Sequence, residues 1–362
     1  MTQAAAGALT AADLGALAGF LRARGLCDGP LRVRRIGDGH SNLTYAVSDG
    51  HRTVVVRRPP PPPAPPGAND VLREARLMDA LRGTAVPVPA VLATARAGEV
   101  LDVPCYVMSF AAGPVITAKT PAALSRPGTR REIGESLIDT LAALHAVDWR
   151  AAGLGDLGRP EGFNARHLRR MERLIADGGG RLPPRFAPAR DWLAARVPPE
   201  SGHAIVHSDF RIGNVVIAPG APGRVAAVLD WELATVGDPL LDVGYFLASV
   251  PGPEGPLTPV QEFGAAMLED GYPDRASLAA RYARHTGRDL SGLAWYTVMA
   301  QWKLAVLYEY SRRRTARGDG DPYYAGESLV ASFLRAAHQA AELPVPGQPE
   351  QADPRLPQEA PP

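Results

Sequence analysis

The sequence predicts an α+β fold in which a small β-rich part is followed by a larger, mainly helical part. Three observations carry this expectation. Short β-branched runs punctuated by glycine and proline fill the stretch from Arg34 to Phe110. From Thr129 onward apolar residues recur at helical spacing, beginning with Ile133, Leu137, Leu141 and Leu144. Within the helical part, Ala204 to Glu232 reads as strand, turn and strand: Val215 to Ile217 and Val225 to Leu229 flank a Pro/Gly turn from Ala218 to Gly223. At 362 residues the chain is long enough for one two-lobed unit or two domains with sizeable cores. A net charge of +1 and 46% hydrophobic residues give no global sign of nucleic-acid or membrane-surface binding. Cys27 and Cys105 stand far apart among apolar neighbours and read as buried thiols in a reducing compartment. The first residues lack a basic region followed by an apolar core, and no apolar run approaches membrane-spanning length. The expectation is a soluble, cytoplasmic protein.

In chain order, Ala11 to Arg24 reads as an amphipathic helix with a T-x-x-D start at Thr10 and Asp13 and an apolar face of Leu14, Leu17, Ala18 and Leu21. Arg34 to Val47 is a strand interrupted by Gly37-Asp38-Gly39-His40-Ser41. Such a turn is either an ordinary hairpin or a place where exposed N–H groups receive phosphate oxygens. His51 to Arg58 is a β-rich run ending in two cations, Arg57 and Arg58. Pro59 to Pro66 holds seven prolines in eight residues and reads as a stiff surface connection. About Ala68 to Arg82 is a helix with Leu72, Ala75, Leu77, Met78 and Leu81 along one face and Glu74 in its first turns. The apolar strand Cys105 to Phe110 runs into Ala111-Ala112-Gly113, and the helix from Thr129 ends near Asp148, with His145 packed or capping close to its end. Asp238 followed by Pro239 opens a helix reaching about Val250. Beyond about Leu343 the composition turns Pro/Gln/Glu-rich and reads as a disordered tail.

The chemistry concentrates in Ala204 to Glu232. His207, Asp209 and Asn214 form H-x-D-x-x-x-x-N, and Asp230-Trp231-Glu232 closes the hairpin. An antiparallel hairpin puts Asn214 and Asp230 at the same end, where an amide oxygen and a carboxylate make a hard oxygen environment suited to Mg2+ carrying nucleotide phosphates. Asp209 can reach the same point as a proton acceptor. The set resembles the catalytic core of kinases, and the H-x-D opening with D-W-E resembles the aminoglycoside phosphotransferase and choline kinase-like family of small-molecule kinases.

That resemblance implies a bilobal protein-kinase-like fold: an N-lobe over residues 1–112, a C-lobe over 113–345 and a tail over 346–362. ATP would lie between the lobes, with its phosphates under Gly37, Gly39 and Ser41 and one or two Mg2+ held by Asn214 and Asp230. Asp209 would orient the acceptor hydroxyl, with His207 holding the loop. Arg211 would stabilise charge on the transferred group, against its reading as a surface or structural arginine. Val54-Val55-Val56-Arg57 matches the strand that carries the kinase lysine, with Arg in its place and Arg58 as a substitute. Glu74 is its expected ion-pair partner, although Arg73 and Arg76 are alternatives. The backbone around Ser109 and Ala111 resembles the hinge that bonds adenine, and Asp242 would buttress the catalytic loop.

For the acceptor, a small-molecule hydroxyl compound, two tallies matter. Arg159 to Glu200 carries nine arginines against five acids, and Pro251 to Leu343 carries eleven acids against ten Lys or Arg. A polycationic aminoglycoside would call for converging carboxylates, so these tallies favour an anionic acceptor, although a solvated basic face is the default explanation. The residues Arg281 to Asp289 and Tyr296 to Arg314 resemble the subgroup joined or related to acyl-CoA dehydrogenases, which implies a hydroxyacyl-CoA. The alternatives are an antibiotic kinase of the aminoglycoside type and a nucleotide-binding pseudokinase or scaffold, for which Arg57 is the best argument. A protein kinase is disfavoured by the short connection from Glu232 to Asp238.

Overall fold

The computed structural model describes residues 9–37, 42–60, 69–252 and 255–344. Its first lobe is a five-stranded antiparallel sheet in the order β1-β2-β3-β5-β4. The strands are β1 (Arg32–Arg35), β2 (Leu43–Ser48), β3 (Thr53–Arg58), β4 (Val91–Ala95) and β5 (Cys105–Ser109). Helix α1 (Ala11–Arg22) begins at Thr10 and Asp13 with a reciprocal capping box, and α2 (Val71–Leu81) is capped by Asp70, whose side chain accepts from the Arg73 N–H.

Strand alternation splits this sheet into two faces with different partners. Val54, Val56, Tyr45, Cys105 and Val107 pack with Leu17 and Leu21 of α1 and with Cys27, making a satellite core. Val55, Tyr106 and Met108 turn the other way, onto Leu77, Met78 and Leu81 of α2, and this face is continuous with the core of the helical lobe. Arg57 lies on the Val55 face and Arg58 on the other.

The second lobe contains α3 (Pro127–His145), α4 (Phe163–Ile175), α5 (Ala187–Ala194), β6 (Ala204–Val206), β7 (Val215–Ile217), β8 (Val225–Val228), β9 (Thr235–Gly237), α6 (Pro239–Ser249), α7 (Pro259–Glu262), α8 (Arg275–Thr286), α9 (Leu293–Ala316) and α10 (Glu327–Ala340). β7 and β8 pair antiparallel, with Val215 opposite Val228, as the hairpin pattern predicts. β6 pairs with β9. Every residue of α6 is buried, as expected of a helix that is apolar nearly all round. Gly244 lets α6 lie directly on α9: a Cβ there would sit 2.6 Å from the Tyr296 carbonyl carbon.

The bilobal kinase-like expectation therefore matches the architecture. The helix expected from Thr129 starts two residues earlier, because Pro127 can occupy a first-turn position whose N–H has no helical partner. The chain leaves the sheet after Ser109 and passes Gly113, whose φ of 135° brings it so close to β7 that a Cβ would lie 2.0 Å from the Ile217 carbonyl oxygen. Cys27 and Cys105 are buried free thiols. Among the described residues no helix is long and apolar enough to cross a membrane. Most of the proline run (residues 61–66) and the expected tail lie outside the described residues.

Candidate active site

The loop after β6 is held by one buried carboxylate. Asp242, in the first turn of α6, accepts from the backbone N–H of His207 at 2.5 Å and of Ser208 at 2.7 Å. Ser208 has φ 69°, a left-handed conformation that a non-glycine residue adopts at a cost, and this pair of bonds holds it there. From the other side Lys303 Nζ of α9 donates to the Ser208 carbonyl at 2.8 Å. His207 Nε2 donates to the Leu229 carbonyl at 2.9 Å, while its Nδ1 accepts from the Asp209 N–H at 3.3 Å, which assigns the proton to Nε2. His207 thus bridges the loop to the far strand of the hairpin and packs on the buried Trp231, their ring centroids 4.7 Å apart.

Burial alone would raise the Asp242 carboxyl, but the hydrogen bond and charge of His145, with the contributions of His207, outweigh it and hold the group below the usual carboxylate range. His145 Nε2 lies 3.4 Å from Asp242, and its Nδ1 is 2.7 Å from the Tyr282 hydroxyl, so it is a packed partner of this carboxylate.

Asp209 follows directly. Asn214 donates its amide to both the backbone carbonyl and Oδ2 of Asp209, each at 2.8 Å. Tyr245 donates its hydroxyl to Oδ1. Arg211 Nε stands 3.5 Å from the same oxygen, with the guanidinium 5.4 Å from the Phe263 ring centroid. Gly213 makes room for it, since a Cβ there would lie 2.2 Å from Arg211 Nη1. Leu229 N–H donates to the Asn214 carbonyl at 2.8 Å, so Asp230 emerges beside Asn214 as the hairpin geometry predicts. Asp230 turns out of the strand with φ 65° and keeps a 35% exposed side chain.

The sheet lobe meets this group through Arg57. Its Nε pairs with Glu74 at 2.9 Å, its Nη1 donates to Thr44 Oγ1 at 3.1 Å, and its Nη2 reaches Asp230 at 2.5 Å and Glu232 at 3.6 Å. The expected Arg57–Glu74 pair is therefore present. Arg73 instead donates to the Leu157 and Ala234 carbonyls, and Arg76 pairs with Asp156. Burial would lower the Arg57 guanidinium, but the Glu74 and Asp230 carboxylates raise it and keep it charged. Glu74 is 2% exposed, and burial pushes its carboxyl up against the pull of Arg57. Its other oxygen accepts from the Trp231 N–H at 3.2 Å. Arg58 is no substitute: adjacent strand residues face opposite ways, and its guanidinium lies 5.8 Å from the Tyr45 ring centroid on the α1 side.

Around the glycine turn, Gly37 has φ 75°, while Gly39 and Ser41 lie outside the described residues. Asn42 donates to Glu232 at 3.0 Å and accepts from Asn69 at 3.0 Å, tying the start of β2 to the hairpin. At the expected hinge, the Ser109 N–H is committed to the Ala90 carbonyl and its Oγ accepts from the Ala90 N–H, both at 2.9 Å. The Ser109 N–H and Oγ are thus both engaged within the sheet lobe.

The family model of the phosphotransferase enzyme family (APH) matches residues 32–296. The chain belongs to this family. It is 32% identical over 218 residues to acyl-CoA dehydrogenase family member 10 of Mus musculus, covering 60% of this chain and 20% of that one. It is 28% identical over 317 residues to the Homo sapiens family member 11, covering 86% and 40%. The chain thus spans well under half the length of these curated relatives. A Ralstonia eutropha protein solved as a candidate aminoglycoside phosphotransferase superposes with a TM-score of 0.73 at 30% identity, covering 91% of this chain and 98% of that one. A thermostable mutant of aminoglycoside phosphotransferase APH(4)-Ia, solved as a ternary complex with ADP and hygromycin B, shares the fold at a TM-score of 0.56 and 17% identity, covering 88% and 97%.

At this candidate site the donor set fits Mg2+. Both amide bonds of Asn214 run to Asp209 from its nitrogen, which leaves Oδ1 as its uncommitted oxygen, and the partly exposed Asp230 carboxylate adds a second hard donor. Among the described residues no group of three or more His, Cys, Asp or Glu is placed to hold a metal; a cation held by two protein oxygens would complete its shell with water and phosphate oxygens. Two site residues escaped the sequence reading, Tyr245 and Lys303. Tyr245 follows Asp242 by three positions on one helix face, and Lys303 is the lone charge in an apolar stretch of α9.

Proposed function

We propose that this kinase-type enzyme transfers the γ-phosphoryl group of ATP to the hydroxyl of an anionic small molecule, of which a hydroxyacyl-CoA is the leading case. One observation carries the reading: the Glu74–Arg57–Asp230 chain links the sheet lobe to the helical lobe and ends beside the Asn214–Asp209 pair. In this scheme Asp209 accepts a hydrogen bond from the acceptor hydroxyl and aims its oxygen at the phosphorus. Arg57 and the turn at Gly37 face the nucleotide phosphates, and the backbone near Ala111 receives the base. Arg211 lies where negative charge gathers on the moving group. Mg2+ bound to Asn214 and Asp230 would neutralise phosphate charge.

The anionic acceptor is supported by the charge tallies of Arg159 to Glu200 and Pro251 to Leu343 and by the resemblance to the acyl-CoA dehydrogenase-associated subgroup. Arg211 itself lies among the carboxylates of Asp209 and Asp230 and the phenols of Tyr245 and Tyr308. The arginine excess before the loop gives less support than its tally suggests. Arg185 is paired with Glu309 and Glu327, Arg190 with Glu172 and Asp191, and Arg181 with Asp177.

The test is ATP turnover with and without Mg2+ for wild type and Asp209→Ala, followed by mass spectrometry of products from hydroxyacyl-CoAs, choline-like alcohols and aminoglycosides. Asp209→Ala should lose about 10²–10⁴-fold in turnover. Equal turnover in the two proteins would instead mark a nucleotide-binding module, and phosphorylated aminoglycoside would overturn the anionic acceptor.

A further inference from the structure

Asp242 and Tyr245 leave the same face of α6 one turn apart, and they reach successive parts of the catalytic loop. Asp242 takes the N–H groups of His207 and Ser208, and the Tyr245 hydroxyl donates to Asp209 Oδ1. Asn214 donates to Oδ2 of the same carboxylate. We propose that Tyr245 is a positioning residue for phosphoryl transfer, clamping Asp209 from the side opposite Asn214 so that the carboxylate keeps one rotation and presents its open lone pairs to the acceptor hydroxyl. This rests on the reading of Asp209 as the group that orients the acceptor.

A carboxylate held by a single donor can swing about its Cβ–Cγ bond, and a donor on each oxygen removes that freedom. Tyr245 is itself fixed. The Lys303 ammonium lies 5.1 Å from its ring centroid while donating to the Ser208 carbonyl at 2.8 Å, so one buried cation braces both the loop backbone and the tyrosine that reaches the next residue. The close approach of α6 and α9 at Gly244 makes this stacking possible. Burial, and then the charge of Asp209, push the Tyr245 phenol well above its ordinary value, so the hydroxyl remains a donor throughout the working pH range. The geometry is that of a neutral donor at an anion, the stronger class of hydrogen bond.

Loss of such a bond corresponds to about a ten- to hundredfold fall in turnover. The experiment compares wild type, Tyr245→Phe, Asp209→Ala and the double variant, with Mg-ATP as the probe and water as the acceptor, followed as ADP release. Tyr245→Phe should lower kcat by that factor, leave KM for ATP within about twofold, and shift the thermal midpoint by no more than about 4 °C. Added to Asp209→Ala it should cause no further loss, because its effect runs through that carboxylate. Wild-type kcat in Tyr245→Phe alongside a crippled Asp209→Ala would overturn the proposal and leave the phosphotransferase reading standing. Multiplying losses in the double variant would overturn it as well, since a tyrosine that only supports packing acts independently of Asp209. Full turnover by Asp209→Ala would remove both readings together.

Discussion

On the helical wall of the cleft, polar groups are matched mostly with neutral donors: Asp242 holds two backbone N–H groups, and Asp209 accepts from an amide and a phenol. On the sheet wall one guanidinium serves Glu74 and Asp230 directly and approaches Glu232. The first arrangement lies within one lobe and is fixed by the contact of α6 with α9. The second crosses between lobes and ends on a carboxylate that stays partly exposed. The loop that would align the acceptor is therefore set by the fold, whereas the contact that would face the nucleotide can be exchanged for a ligand's phosphates. Each prediction below loads one wall and spares the other.

The largest effect is expected at Asp242. Asp242→Ala strands two buried N–H groups and His145, and such a loss costs on the order of 3–5 kcal/mol, readable by denaturant unfolding. The pH dependence has a definite sign. The Asp242 carboxyl lies below its ordinary value in the folded chain, so its contribution is present above the unfolded pKa of about 3.9 and is lost as pH falls through the lower folded value. Wild-type stability should therefore drop on acidification below about pH 4, and Asp242→Asn should flatten that limb. An unchanged acid limb would mean that the loop is held by something other than this carboxylate.

Arg57 should come next and should separate charge from geometry. Arg57→Ala leaves Glu74 buried without a counterion, at a cost of about 3 kcal/mol, and should weaken nucleotide binding roughly tenfold by calorimetry. Arg57→Lys keeps the charge but not the fork that spans Glu74 and Asp230, so its losses should be less than half as large. Tighter nucleotide binding by Arg57→Ala would break the comparison, because the Arg57–Asp230 contact would then be a latch that closes the cleft.

How much of this was legible depends on how far apart in the chain the partners stand. Strand alternation in β2 and β3, the capping box at Thr10 and the hairpin from Val215 are local patterns, and the structure has them where the sequence places them. The same alternation rule puts Arg58 on the face opposite Arg57, so its position too is legible from the strand pattern. Asp242 meets His207 across 35 positions and was reached only through family resemblance. Tyr245 shares a helix face with Asp242 and Lys303 is a lone charge in an apolar stretch of α9, but neither signal names a partner: α6 is buried on every side, and Lys303 lies in a run of α9 that is buried nearly all round. Their meeting at Ser208 and Asp209 depends on a helix crossing that Gly244 permits, and a glycine inside a buried helix does not say which helix it admits.

The smallest effect concerns the expected hinge, where the sheet wall has a neutral contact of its own. Ser109 Oγ accepts from the Ala90 N–H, and the Ser109 N–H is bonded to the Ala90 carbonyl. Ser109→Ala removes the first bond and leaves the second, so stability should fall by about 1 kcal/mol, with the loss moderated because Ala90 is only half-buried. If the adenine is read by main-chain atoms beyond Ser109, nucleotide affinity should stay within about twofold of wild type. A tenfold loss would place the hydroxyl itself against the base, and the sheet wall would then bind nucleotide through side chains at both ends instead of through Arg57 alone.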